Sequence, residues 1–271
     1  MRYLGAFISL VFAVTVWASD NIAYIEQAGQ FSTISVSQDG VGNNVSGTAQ
    51  PAVAIAPAYL HGDGNVVNID QVGLSNNFGI RIITSSQARS HISLPSCFGC
   101  APAILGNYYS YQVNGNNNKS SIDSNGDGKN TSVSNTVSVT ETGDSNQTQV
   151  NVIGSFNIST DNITGNYNNT LQTTTDKSNV SYVAVSGDRN STATTQTGVG
   201  GVAIVSTQGA MNNVQVTQQD GGANGHSANV SINGNLNTVQ VTQTGLAGDS
   251  NVGIRSSGSN NSFIITSNVT R

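Results

Sequence analysis

Charge is scarce in this 271-residue chain: Lys, Arg, Asp and Glu together make up 8 % of it, about a third of the usual share. The net charge is −5 and Lys and Arg are nowhere clustered. Nucleic acid is therefore not expected as a partner, because phosphate binding needs concentrated positive charge. Catalytic groups are equally thin. The histidines His61, His91 and His226 fall at separate corners or loops, and no Ser–His–Asp arrangement, paired carboxylates on one strand face or phosphate-cradling loop is present. The chain is not expected to be an enzyme. Long apolar runs are confined to the start, where Arg2, the run from Leu4 to Val16 and the small-x-small step at Val16–Ala18 read as a secretory signal over residues 1–18. No later run is long enough to span a bilayer, so no transmembrane anchor is expected.

Asn, Ser, Thr, Gln and Gly take the place of charge, and they are ordered. Gly143, Gly154, Gly165, Asp176, Gly187, Gly198 and Gly209 mark an 11-residue beat. Three residues after each come Asn146, Asn157, Asn168, Asn179, Asn190, Gly201 and Asn212. A fixed period of this length implies an array of small repeated units. The same composition without a period would suggest disorder. The stretches Gly209–Gln218 and Gly234–Gln243 supply the template G-x-x-N-x-Φ-x-Φ-x-Q-x, with Φ apolar. From Asn to Gln, alternate residues share one face of a strand. Each unit thus predicts a strand whose apolar face is bracketed by amides and whose other face is polar. Glycine stands where the chain turns, with positive φ.

A single such strand cannot bury its apolar face, whereas two units folded back on each other can. The expected fold is all-β: a β-solenoid over residues 19–271 with about nine two-strand rungs, roughly 45 Å long at ~4.8 Å per rung. Inward amides are unfavourable unless paired, and identical amides one rung apart can hydrogen-bond along the stack. The candidate ladder and assembly residues are Gln27, Gln38, Gln71, Asn146, Asn157, Asn168, Asn190, Asn212, Gln218, Asn237 and Gln243. The competing reading makes Asn a turn former and Gln surface filler.

The period stops in two stretches, about 47–60 and 85–103, which contain all four prolines: Pro51, Pro57, Pro95 and Pro102. Proline cannot donate to a ladder, so both stretches are expected to bulge from corners as loops. The second holds the only cysteines, Cys97 and Cys100. In an exported chain this spacing favours a local disulfide; redox chemistry, half a zinc site, intermolecular pairing and free thiols are the alternatives. Asp123, Asn125 and Asp127 have the spacing of the first half of a calcium loop. Ser134 stands where the bidentate Glu belongs, so a polar corner and a calcium site both stay open. No other cofactor is expected.

The repeat is cleanest in the segments Asn21–Gly29, Val66–Gly73 and Val214–Gln218. In these the chain resembles the curlins, the subunits of curli amyloid fibres on bacterial surfaces, and the first segment is nearest to a repeat of the minor, nucleating curlin. The resemblance implies secretion to the cell surface and cross-β polymerisation into fibres that serve adhesion and the biofilm matrix. It also implies partners: further copies of the chain, other curlin-like subunits, and outer-membrane secretion and assembly factors. An alternative is a non-polymerising secreted solenoid adhesin stabilised by calcium. An ice-binding solenoid is suggested by the outward Thr195, Thr197, Thr242 and Thr244. It is disfavoured because, read along the chain, the threonines do not form one flat regular array.

Overall fold

The computed structural model describes strand segments within residues 14–125, and residues 135–269 apart from 222–224 and 246–247. Every regular element among them is a β-strand, and no helix is long and apolar enough to cross a membrane. The chain opens with β1 (Val14–Val16), β2 (Ile22–Ala23), β3 (Ile25–Ala28), β4 (Thr33–Val41), β5 (Asn44–Ser46) and β6 (Ala58–His61). It continues through β7 (Val66–Leu74), β8 (Asn77–Ile83), β9 (Arg89–Pro95), β10 (Tyr108–Asn114) and β11 (Lys119–Asn125). An uninterrupted series follows: β12 (Thr136–Thr142), β13 (Gln147–Ser155), β14 (Ile158–Thr164), β15 (Asn169–Lys177), β16 (Val180–Ser186) and β17 (Ser191–Val199). It ends with β18 (Val202–Gln208), β19 (Asn213–Gln219), β20 (Ser227–Asn233), β21 (Thr238–Thr244), β22 (Asn251–Ser257) and β23 (Ser262–Asn268).

These strands form two sheets. Sheet A has eleven, in the order β1-β4-β7-β9-β11-β13-β15-β17-β19-β21-β23. Sheet B has twelve, β2-β5-β8-β10-β12-β14-β16-β18-β20-β22 with β6 also paired to β8 and β3 to β6. Neighbours are parallel throughout, as between β17 and β19 or β16 and β18. From β12 onward successive strands alternate between the sheets, so the chain coils as a β-solenoid of about six turns, and the earlier strands extend both sheets. The alternating template is what closes each turn. In β19 the odd residues are exposed or half-buried, and Val214, Val216 and Gln218 point inward. The thin core between the sheets from Ile163 to Ile254 is built mainly of Val and Ile, including Val205, Val216, Val230 and Val241.

The rungs do not share one sequence length. Asn146 and Asn168 are 22 residues apart, Asn212 and Asn237 are 25, and Asn118 and Asn146 are 28. Strand register is the same across these unequal spacings: Thr217 still faces Thr242 and Lys119 still faces Gln147. The interruptions are also shorter than the sequence suggested. β6 starts inside the first stretch, and β9, ending on Pro95, fills much of the second as a sheet A strand between β7 and β11. Proline is tolerated there because it lies beyond Ser93, the last residue of β9 paired with β11, and among the described residues is flanked only by β7. Within the expected secretory signal, β1 pairs with Val36–Gln38 of β4. Asp123 and Asn125 belong to β11, whereas Asp127, Cys97 and Cys100 lie outside the described residues.

Candidate assembly interface

The asparagines that open sheet A strands stack at one corner and bind each rung to the next in two ways. Each Oδ1 accepts the backbone N–H of the following asparagine: Asn168 to Asn146 at 3.0 Å, Asn190 to Asn168 at 2.9 Å, Asn212 to Asn190 at 3.0 Å and Asn237 to Asn212 at 2.9 Å. Each Nδ2 donates to the corner glycine of the following rung, as from Asn168 to the Gly187 carbonyl at 2.7 Å and from Asn190 to that of Gly209 at 2.8 Å. The side chains are at most 1 % exposed, so these bonds satisfy backbone groups that would otherwise be buried and unpaired. A second column serves sheet B, where Asn157 donates to Asn135 and Asn179 to Asn157, both at 3.0 Å. It breaks at Gly201, whose N–H donates to Asn179 Oδ1 at 2.8 Å. Beyond the break, His226 is buried, with Nε2 against the Gln219 carbonyl and Nδ1 accepting from the Ser250 N–H, each at 3.1 Å.

Glutamines form a third ladder inside sheet A. Gln196 Nε2 donates to Gln218 Oε1 and Gln218 Nε2 to Gln243 Oε1, both at 2.9 Å. The same Nε2 atoms reach across to sheet B carbonyls: Gln196 to Val180 at 2.9 Å, Gln218 to Val202 at 3.0 Å and Gln243 to Ser227 at 2.9 Å. Glutamine here is core, and not surface filler. Near the N-terminus Gln38 and Gln71 are in register between β4 and β7, whereas Gln27 stands beside Leu60 with no glutamine in its register. Five ladder members, Asn118, Asn135, Asn179, Gln196 and Asn261, were absent from the candidates read from sequence. Each falls on a template slot, so applying the template at every beat would have found them.

The corners explain the glycine beat. Gly187 has φ 121°, and a Cβ there would lie 2.0 Å from the Gly209 carbonyl oxygen of the next rung. Both the turn and the stacking distance therefore require glycine. Two residues further on, the chain visits the left-handed region at Tyr167, Arg189, Met211 and Leu236 (φ 58°, 59°, 56° and 57°), a conformation unfavourable for such side chains. These residues form an exposed ridge along one corner, with the Arg189 guanidinium over the Tyr167 ring at 5.8 Å.

Between β12 and β17 the core turns polar, which the template did not predict. Glu141 takes a glutamine slot, Asp161 an apolar one, and Thr170, Gln172 and Thr174 fill all three inward positions of β15. Glu141 accepts from Thr148 Oγ1, and Asp161 accepts from Gln172 Nε2 at 2.6 Å. Burial pushes Glu141 up to about 7, against hydrogen bonds from Thr148 and Ser120 that hold it down. Burial likewise pushes Asp161 up to about 8, opposed by Gln172 and assisted by the neighbouring Glu141. Both are at most 1 % exposed, so no substrate could reach them.

On the outer face of sheet A, Thr173, Thr195, Thr217, Thr242 and Thr266 are in register on five consecutive strands, an unbroken column, whereas the neighbouring column through Thr175, Thr197 and Thr244 is interrupted by Gln219. The column holds although its members are unequally spaced along the chain. No family of known proteins matches the chain, and neither the curated proteins nor the solved structures contain a match to it.

Proposed function

We propose that the chain is a structural subunit that self-assembles by adding further copies to the ends of its sheets, forming cross-β fibres. The observation that carries this reading is that backbone pairing and the sheet A asparagine column repeat at every step from Asn146 to Asn237. The corner carbonyls recur with them, so one rung is a template for the next. At β23 the inward Phe263 and Ile265 are only half-buried, and among the described residues no strand pairs with its outer edge. The resemblance to curlins points the same way, toward export, display at the cell surface and roles in adhesion and the biofilm matrix. Partners on this reading are further copies, related subunits and export factors.

The test is to release the chain, without residues 1–18, from denaturant and follow Thioflavin T binding and fibre diffraction, alone and with fibre seeds. Growth with a ~4.7 Å meridional reflection is expected. A persistently monomeric, folded protein would overturn the reading and favour the solenoid adhesin. A second reading rests on the threonine column, which repeats a hydroxyl and a methyl at ~4.8 Å intervals and could order water against a growing ice face. Inhibition of ice recrystallisation by the folded protein, lost on Thr217→Lys, would support it; no inhibition would end it.

A further inference from the structure

The rungs from β12 to β15 differ from the later ones in what they bury. Where Val216 and Val241 occupy the central slot of their strands, Gln172 and Asp161 occupy it here. Glu141 on β12 and Asp161 on β14 sit on adjacent strands of sheet B, diagonally related, since Val139 is in register with Asp161 and Glu141 with Ile163. Each carboxylate has one hydrogen-bonded oxygen, on Glu141 facing Thr148 with Ser120 close by and on Asp161 facing Gln172. The other oxygens, Glu141 Oε2 and Asp161 Oδ2, are buried without a partner, as is Gln172 Oε1.

Among the described residues, the inward positions packed against the pair carry no positive charge. Within sheet B, β10 presents Tyr111 and Val113, and β16 presents Val183 and Val185. From sheet A, β11 presents Ser120 and Ile122, β13 Thr148 and Val150, and β15 Thr170 and Gln172. The one further titratable group among these is the Tyr111 phenol, which donates to Ser120 Oγ at 2.8 Å. Two ionised carboxylates cannot be held in such a core without a counter-charge. Protonated, each becomes a donor, and the cluster holds unpartnered oxygens to accept.

We propose that this segment is a proton-operated closure, in which the rungs bearing Glu141 and Asp161 close when both side chains are protonated and open locally when they ionise. The direction with pH follows from proton counts. Burial raises Glu141 from 4.5 to about 7 and Asp161 from 3.8 to about 8, so the closed form holds more protons than the open one between those limits. The stability supplied by protonation is complete below the open-chain values, declines as pH rises through the interval and is absent above the closed-form values. Among the described residues the later rungs bury no acid, so opening does not extend into them.

Hydrogen exchange of the wild-type chain at pH 5 and pH 9, corrected for intrinsic exchange rates, tests this. Protection of β12–β15 relative to β18–β21 is expected to fall by about tenfold or more, at tenfold per pK unit of a single group. In the Glu141→Gln, Asp161→Asn double variant this ratio is expected not to change. A second measurement needs no variant: infrared spectra of the wild type at pH 6 should show a protonated-carboxyl C=O band that disappears at pH 9. An unchanged protection ratio in the wild type, or fully ionised carboxylates at pH 6, would overturn the proposal.

Discussion

Replacing Asn190 by alanine isolates what one rung of the asparagine column contributes. The side chain makes four bonds: Nδ2 donates to Asn168 Oδ1 at 3.1 Å and to the Gly209 carbonyl at 2.8 Å. Its Oδ1 accepts from the Asn212 backbone N–H and from Asn212 Nδ2, each at 3.0 Å. Not all four losses count equally. Asn168 Oδ1 keeps the Asn190 backbone N–H, and Asn212 Nδ2 keeps the Gly234 carbonyl at 2.8 Å. The groups left without these partners are the Asn212 N–H and the Gly209 carbonyl. At about 1–3 kcal/mol for each buried polar group so orphaned, the expected loss is about 2–6 kcal/mol. Asn213→Ala is the control, because that side chain is exposed on the outer face of the neighbouring strand and its loss should stay within about 0.5 kcal/mol. Denaturant unfolding of the monomer, with equal slopes checked for all three proteins, measures both. Equal effects, or a loss below about 1 kcal/mol at Asn190, would refute the assignment of the column as the main side-chain tie between rungs.

Three other substitutions probe separate parts of the rung. Gly187→Ala places a methyl 2.0 Å from the Gly209 oxygen at φ 121°; the expected outcome is failure to regain β-structure on refolding, read by circular dichroism, and native-like refolding would show that the corner can relax. Gln218→Leu removes the donor to Gln243 and to the Val202 carbonyl while keeping an apolar volume; a loss of about 1–3 kcal/mol and slower assembly are expected, and unchanged assembly would mean that inward amides are not what the slot is for. Leu236→Asn relieves a leucine held at φ 57° and half exposed; asparagine tolerates that conformation, so a gain of about 0.5–1 kcal/mol in thermal or denaturant unfolding is expected, and a loss would show that the apolar ridge packs against something in solution.

How much was legible in advance varies along the chain for physical reasons. Around Gly209–Gln218 and Gly234–Gln243 local and global requirements coincide, so the beat named the turn, the inward valines and the ladder glutamine together. Asp161 and Gln172 were not legible as a buried cluster. A charged residue in an apolar slot looks like a weak repeat until the partners 11 and 20 residues away, which are neighbours only after coiling, are set beside it. The left-handed residues at Met211 and Leu236 escaped for a different reason. Their side chains belong to no class that favours positive φ, and the corner imposes that conformation because closure of the rung outweighs a local penalty.

By itself the sequence determined the kind of structure: strands of period two, turns at a glycine beat, and amides at the strand ends, because each depends on residues close together in the chain. The tertiary structure decided everything that depends on distance along the stack. It brought Thr173 through Thr266 into one column despite unequal spacing, carried β9 through a stretch that had read as a loop, and enclosed Glu141 and Asp161 in one core with no counter-charge among the described residues. The physical reason is that register between rungs is set by backbone pairing and corner length together. Only the folded chain shows which residues stay in register across rungs of unequal length.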